Sequence, residues 1–96
     1  KGKNIHLQVK ASPDQLVGAT LWRSVSDSRD FRQATWNKSN IPVDAKDRSM
    51  VNARLKYPKN GFQAFYVDLI YKDTHGEEYS VSTRTFMSDH KKVFVQ

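Results

Sequence analysis

The chain contains no cysteine, which excludes disulfide bonds and thiolate metal sites. That absence does not identify a reducing compartment, because exported bacterial domains often lack cysteine as well. The four glycines are scattered along the sequence, so no glycine-rich loop is available to bind a phosphate group. No apolar run approaches the roughly 20 residues needed to span a bilayer, and no signal peptide opens the sequence. We therefore expect a fold without a membrane span that is held together by its apolar core.

The 96 residues suit a single domain over 1–96. Hydrophobic residues make up 38% of the chain and aromatic residues 11%, enough for a packed core. Because the chain enters its first predicted strand almost at once, we expect a piece of a larger protein. The net charge of +6 is spread over both halves, with nine Lys/Arg and five Asp/Glu in 1–48, and seven and five in 49–96. This even spread favours a mildly basic surface over a nucleic-acid-binding tail.

Apolar and polar residues alternate along most of the chain, which is the period of a β-strand, and helical periodicity is barely present. Turn-forming residues separate the alternating segments. The predicted strands are 5–10, 17–25, 31–36, 50–57, 62–71 and 79–86. The tail 87–96 is expected either to add a short seventh strand or to fray.

These strands predict an all-β fold, an immunoglobulin-like antiparallel β-sandwich of six to seven strands. The segment 62–71, apolar on nearly both faces, belongs in the middle of a sheet. A small closed barrel is the main alternative. The predicted connections are a turn at 12–14, a turn at 26–28, a polar loop over 37–47, a hairpin signal at Asn60-Gly61 and a turn at 73–76.

The stretch "RDFRQATW", residues 29–36, is interpreted as a turn followed by a core strand. Phe31 and Trp36 lie five apart, so on one strand their rings point to opposite faces. Trp36 is the candidate for the buried tryptophan of an immunoglobulin-like core, with Trp22 as its neighbour. Asp30 and an arginine pair to fix the turn, contributing about 0–1 kcal/mol if exposed. The alternative is a ligand platform made of Asp30, Arg32 and Trp36.

No constellation for catalysis or metal binding emerges from the sequence. His6, His75 and His90 have no second ligand at short spacing, and no G-x-S-x-G elbow exposes a serine. Asp68 is the one carboxylate within an apolar strand, and we expect it to point outward beside a basic residue. We predict no catalytic residue, no metal site and no cofactor.

One candidate binding surface stands out. The basic strip, which consists of Arg48, Asn52, Arg54 and Lys56, shares one face of a predicted strand and suits an anionic partner. An ordinary solvated face is the alternative. Tyrosines, Tyr66 among them, would add a carbohydrate- or protein-binding patch, although half-buried tyrosines are normal in sandwiches. Possible partners are a protein or an anionic carbohydrate; nucleic acid is not expected, and the domain is expected to be a monomer.

Two motifs together resemble the C-terminal region of the PhoPQ-activated pathogenicity-related proteins. That family has a motif of the form "rDFR-x-a-x-W", followed by "G-[YFW]-x-A-[FY]-[FY]-V-[ED]-[LAI]" and a last strand with "Y-x-[LV]-[ST]-T". The resemblance covers about residues 20–86. The matching positions are Asp30, Phe31, Arg32, Ala34, Trp36, Gly61, Ala64, Phe65, Tyr66, Val67, Asp68, Ser82 and Thr83.

The resemblance implies an exported bacterial protein, periplasmic or secreted, in which a β-sandwich follows an α/β-hydrolase-like main domain. Any nucleophile, acid and histidine would lie in that main domain, so no catalytic role transfers to this chain. The expected function is a non-catalytic accessory domain that packs on the main domain or assists binding of a substrate or partner. Gly61, Phe65 and Val67, together with Asp30, Phe31 and Trp36, are then structural residues.

Overall fold

The alternating segments do form strands. In a computed structural model, which describes residues 4–11, 16–43 and 49–95, these residues form eight β-strands and no helix. The strands are β1 (Asn4–Lys10), β2 (Leu16–Ser26), β3 (Trp36–Ile41), β4 (Met50–Lys56), β5 (Phe62–Lys72), β6 (Glu78–Ser82), β7 (Phe86–Ser88) and β8 (Val93–Val95). The predicted turn at 12–14, Arg48 and most of the second half of the predicted loop lie outside the described residues.

The strands pair into a small sheet and a large one, and every pairing is antiparallel. β1 pairs with β4, while the large sheet runs β3-β2-β5-β7-β8, with β6 also on β5. In an immunoglobulin sandwich, strands B and E pair in one sheet, and strands C, F and G belong to the other. Here β1 and β4 correspond to B and E, β2 corresponds to C, β5 to F, and β6 and β7 together to G. The predicted all-β sandwich is confirmed.

The core lies between the two sheets and contains side chains from both. Phe65 and Val67 are completely buried, as predicted for the central strand. The other residues of the core are Ile5, Val9, Leu16, Ala19, Leu21, Ile41, Val51, Ala53, Leu55, Leu69 and Tyr71. Val17 shares the alternating pattern of the buried Ala19 and Leu21 but is itself 47% exposed. The pairing of β2 with β5 shifts between Leu16 and Gly18, and this irregularity turns Leu16 inward in place of Val17.

A buried polar group ties the sheets together at one end of the core. The Gln63 amide donates to the backbone oxygen of Lys56, 3.0 Å away, and to Oγ of Ser88, 2.9 Å away. Its oxygen accepts from Nε of Arg23 at 2.7 Å. Because Lys56 lies in the small sheet and the other three residues lie in the large one, a single side chain bonds across the sandwich.

The predicted third strand is wrong. Residues 31–35 form a turn, closed by a 3.2 Å bond from the Ala34 amide to the Phe31 carbonyl, and the strand begins only at Trp36. The polar segment 37–41, expected as loop, continues that strand at the edge of the sheet. An edge strand can remain polar because it makes little contact with the core.

Asn60-Gly61 also differs from its prediction. It does not close a hairpin, since β4 and β5 belong to different sheets, and the connection crosses between them. Gly61 has φ of 73°, and a Cβ there would lie 2.6 Å from the backbone oxygen of Ser26. Glycine is therefore required by both conformation and space.

The remaining connections follow turn chemistry. The β5–β6 hairpin at 73–76 is confirmed: the Asp73 carboxylate accepts two backbone N–H groups, and Gly76 has φ of 85°. The last predicted strand is split into β6 and β7, because residues 83–85 interrupt its register along β5. The tail adds β8, so the strand alternative is the correct one.

Candidate interaction surface

The outer face of the small sheet, here called the polar face, includes three residues of the predicted basic strip. Asn52, Arg54 and Lys56 alternate with buried residues and are exposed. The strand register sets β1 side chains directly beside them. The outward-facing residues of the polar face are Asn4, His6, Gln8, Lys10, Met50, Asn52, Arg54 and Lys56. None of these eight is a carboxylate, so the local charge is positive.

Tyr66 does not join this surface. It lies on β5 between the buried Phe65 and Val67, and therefore points outward from the large sheet. Stacked sheets lie about 10 Å apart, so the sandwich core separates Tyr66 from Arg54 and Lys56. The five residues predicted to bind thus do not form one site: three are on the polar face, Tyr66 is on the opposite face, and Arg48 lies outside the described residues.

The outer face of the large sheet is rich in aromatic residues. Six of the eleven aromatic residues in the chain lie on it or in the loop that covers it. We call this the aromatic face, and its rings are Trp22, Phe31, Trp36, Phe62, Tyr66 and Phe94. All six are partly buried, although they point away from the core.

The rings form a continuous row across three strands. Trp22 and Tyr66 are nearly parallel, with centroids 6.3 Å apart. Trp36 lies 5.6 Å from Tyr66 and 6.4 Å from Phe31. Lys38 places its Nζ 5.8 Å from the centroid of the Trp22 ring, a cation–π contact. The ring faces of Trp22 are therefore occupied by other side chains.

Asp68 anchors this row. It points outward, as predicted, but the residues that donate hydrogen bonds to it are not basic. One carboxylate oxygen accepts from Nε1 of Trp22 at 3.0 Å, and the other accepts from the Ser82 hydroxyl. Burial of its ring raises the pKa of Tyr66, and the nearby Asp68 carboxylate raises it further.

The loop between β2 and β3 is held by Asp30 and Arg32. The Asp30 carboxylate accepts from the backbone N–H of Arg32 and from its Nε, both at 3.0 Å, and from its Nη2 at 2.7 Å. Hydrogen bonding to the Arg32 side chain, and then to its backbone, lowers the pKa of Asp30, and the same pair raises the pKa of Arg32. The predicted Asp–Arg pair is therefore present.

This loop borders an open cleft of about 570 Å³, which we call the arginine cleft. Its lining consists of Arg29, Asp30, Phe31, Arg32, Trp36, Ala64, Arg84 and Thr85. Arg29 is held by the Phe62 and Phe94 rings, whose centroids lie 5.5 and 4.7 Å from its guanidinium carbon. The three residues of the predicted ligand platform, Asp30, Arg32 and Trp36, all line the cleft.

Two predictions about Trp36 are wrong. It is only half-buried and lies on the aromatic face, outside the core. Its ring contacts Phe31 instead of pointing the opposite way, because Phe31 belongs to a turn and the parity of a strand does not apply to it. The Tyr66 ring lies between Trp36 and Trp22 and contacts both of them.

Sequence reasoning missed the aromatic face, although a signal was present. Trp22 and Tyr66 stand at the outward positions of their strands, where polar residues are usual in a sandwich. Arg29 and Arg84 were not singled out, because nothing local brings their distant positions together. Phe94 is carried into place by β8, the strand about which the sequence was least informative.

A metal-binding cluster and a membrane-spanning helix are both absent from the residues that the structure describes. Within 4–11, 16–43 and 49–95, no group of three or more His, Asp or Glu side chains could hold a metal ion. The same ranges contain no helix with the length and apolar character to cross a membrane.

No protein-family model matches the chain, and no curated protein or solved structure shows significant similarity to it.

Proposed function

We propose that this β-sandwich is a non-catalytic accessory domain that binds the surface of another protein domain through its aromatic face. The motifs in 29–36 and 61–69 point to the α/β-hydrolase-like main domain of an exported bacterial protein as that partner. The observation on which the proposal depends is the row of half-buried rings on the outside of the large sheet.

Large apolar groups on an outer sheet face are typical of interaction sites. Tryptophan, tyrosine and arginine are the residues that most often dominate the energy of protein interfaces, and all three occur here next to one another. Interfaces between domains of one chain usually cover about 600–1,500 Å², which a whole sheet face can supply.

The carboxylates of Asp30 and Asp68 on this face both have hydrogen-bond partners. Asp30 is engaged by Arg32, and Asp68 by Trp22 and Ser82. A general base needs a free lone pair directed at a substrate, whereas both carboxylates serve to hold rings and loops in place. This supports a binding role over a catalytic one.

Hydroxyl-radical footprinting of the 96-residue chain, alone and within the longer protein, tests the proposal. We expect oxidation of Trp22, Trp36 and Tyr66 to fall several-fold in the longer protein, because the partner domain covers them. Met50, on the polar face, serves as the control and should be oxidised equally in both. Equal oxidation of the three rings in the two samples would contradict the proposal.

The 96-residue chain should also show no turnover of a generic ester or peptide. Hydrolysis abolished by a point mutation within the chain would overturn the non-catalytic assignment.

A second candidate function is favoured by the polar face, which has cations without carboxylates. In this function, the polar face would bind an anionic polysaccharide through Lys10, Arg54 and Lys56. An NMR titration with oligogalacturonate should then shift the β1 and β4 amides, and added salt should weaken the effect. Diffuse shifts, or shifts elsewhere, would count against it.

A further inference from the structure

The arginine cleft has an unbalanced charge. Three guanidinium groups line it, and the single carboxylate among the lining residues, Asp30, is already bonded to Arg32. Arg84 has no ion-pair or hydrogen-bond partner for its side chain among the described residues. A ligand with a negative charge would therefore complete the cleft.

Two of the three arginines are held in place before any ligand arrives. The Phe62 and Phe94 rings hold Arg29, and the bonds to Asp30 use Nε and Nη2 of Arg32, which leaves its other N–H groups available. A fixed guanidinium loses less conformational entropy on binding than a flexible one. Carboxylates match the planar geometry of such groups through paired hydrogen bonds.

The lining also includes apolar surface beside these charges. Phe31, Trp36 and Ala64 lie on the same cleft as the arginines. A glutamate side chain has both a carboxylate for the arginines and methylene groups for the rings. A simple inorganic anion would use the charge alone.

The shape and the ring packing favour a protein ligand over a small molecule or a sugar chain. Small-molecule sites usually enclose 70–90% or more of a ligand's surface, whereas this cleft is open. A polysaccharide would require a row of free ring faces, but Trp22 lies between Lys38 and Tyr66, and Trp36 contacts both Tyr66 and Phe31.

We propose that the arginine cleft binds glutamate or aspartate side chains on an acidic segment of a partner protein. This inference rests on the proposed function and deepens it: the aromatic face supplies the apolar contact, and the cleft supplies selection for acidic partners. Electrostatic complementarity of this kind mainly sets specificity and the rate of association.

The test is an NMR titration of the 96-residue chain with a blocked, glutamate-rich pentapeptide that has a central phenylalanine. We expect shifts at the Trp36 indole and at the Arg32 and Arg84 side chains, and weaker binding as salt rises. Arg84→Gln should lower the affinity for the peptide about tenfold, because it removes a charge-assisted contact. Since Arg84 is exposed and lies outside the core, the substitution should not disturb the fold. The matched control, Lys72→Gln at the exposed end of β5, eight residues along the strand from Ala64 of the cleft, should leave the affinity within about twofold of the original.

Three results would each overturn the inference: equal binding of the same peptide with glutamine for glutamate, unchanged affinity in Arg84→Gln, or tighter binding of oligogalacturonate at the cleft. Footprinting keeps the two proposals distinct. If the rings are protected in the longer protein while the peptide fails to bind, the cleft inference is wrong and the accessory-domain proposal stands. If the rings are not protected, the accessory-domain proposal is wrong whatever the peptide does.

Discussion

On the small sheet, outward-facing side chains such as Arg54 and Lys56 extend into solvent. On the large sheet, the outward positions Ser24 and Ala64 are 1% and 2% exposed, as completely covered as the core. The difference arises from the rings of the aromatic face, which lie over the sheet as an additional layer. The same two-residue alternation therefore produces one face that contributes little to stability and another that contributes substantially. This contrast can be tested by mutation.

The largest effect is expected where the two sheets are joined. Gln63→Ala leaves buried hydrogen-bonding groups of Arg23, Lys56 and Ser88 without their partner, so it should lower the free energy of unfolding by about 3 kcal/mol. Urea denaturation followed by tryptophan fluorescence measures this. Gln8→Ala, the same change on the polar face, should stay within about 0.5 kcal/mol of the original chain. Equal effects of the two changes would refute the account of the Gln63 network.

The next comparison sets one face against the other. Trp22→Ala should cost about 2 kcal/mol, roughly half the loss typical of a fully buried tryptophan, because it removes ring contacts with Tyr66 and a hydrogen bond to Asp68. Arg54→Ala should change stability by no more than about 0.5 kcal/mol. Both values come from urea denaturation monitored by circular dichroism, which does not depend on the replaced ring. If Trp22→Ala were as mild as Arg54→Ala, the aromatic face would not be a stabilising layer.

A smaller effect should appear at alkaline pH, and only on the aromatic face. The pKa of Tyr66 is raised by burial and by Asp68, so the folded state holds the phenolic proton more tightly than the unfolded state. The contribution of protonated Tyr66 to the stability of the folded state is complete below the pKa of tyrosine in the unfolded state, about 10. This contribution is lost as pH rises through the higher pKa of the folded state. Unfolding measured between about pH 9 and 12 should show this loss, and Tyr66→Phe should reduce it. An identical pH dependence in Tyr66→Phe would rule out Tyr66 as the cause.

The core was predictable from the sequence because alternation reports burial directly. Val51, Ala53 and Leu55 on β4, and Phe65 and Val67 on β5, are buried as their pattern indicated. Alternation fails where side chains bond to nearby backbone. In residues 29–36, the Asp30 carboxylate accepts a hydrogen bond from the backbone N–H of Arg32. This local hydrogen bond favours a turn over an extended chain.

The polar segment 37–41 escaped prediction for a different reason. It is an edge strand whose side chains are exposed apart from Ile41, so burial leaves almost no mark on its composition. The arginine cleft was harder still. Arg32 and Arg84 are brought together only by the pairing of β5 with β2 on one side and with β6 and β7 on the other. Partnerships between such distant positions are set by tertiary packing, which local patterns do not encode.

The smallest expected effect concerns the loop that borders the cleft. The pKa of Asp30 is lowered by its bonds to Arg32, so its contribution to folding is present above the unfolded pKa, about 3.9, and is lost as pH falls through the lower folded value. Because both side chains are exposed, Asp30→Asn should scarcely alter overall stability. It should instead accelerate hydrogen exchange at the Arg32 amide, which loses a charged acceptor, while amides in β4 stay unchanged. Exchange that rises equally in β4 would mean that the substitution loosens the whole sandwich, and the Asp30–Arg32 pair would then have more than a local role.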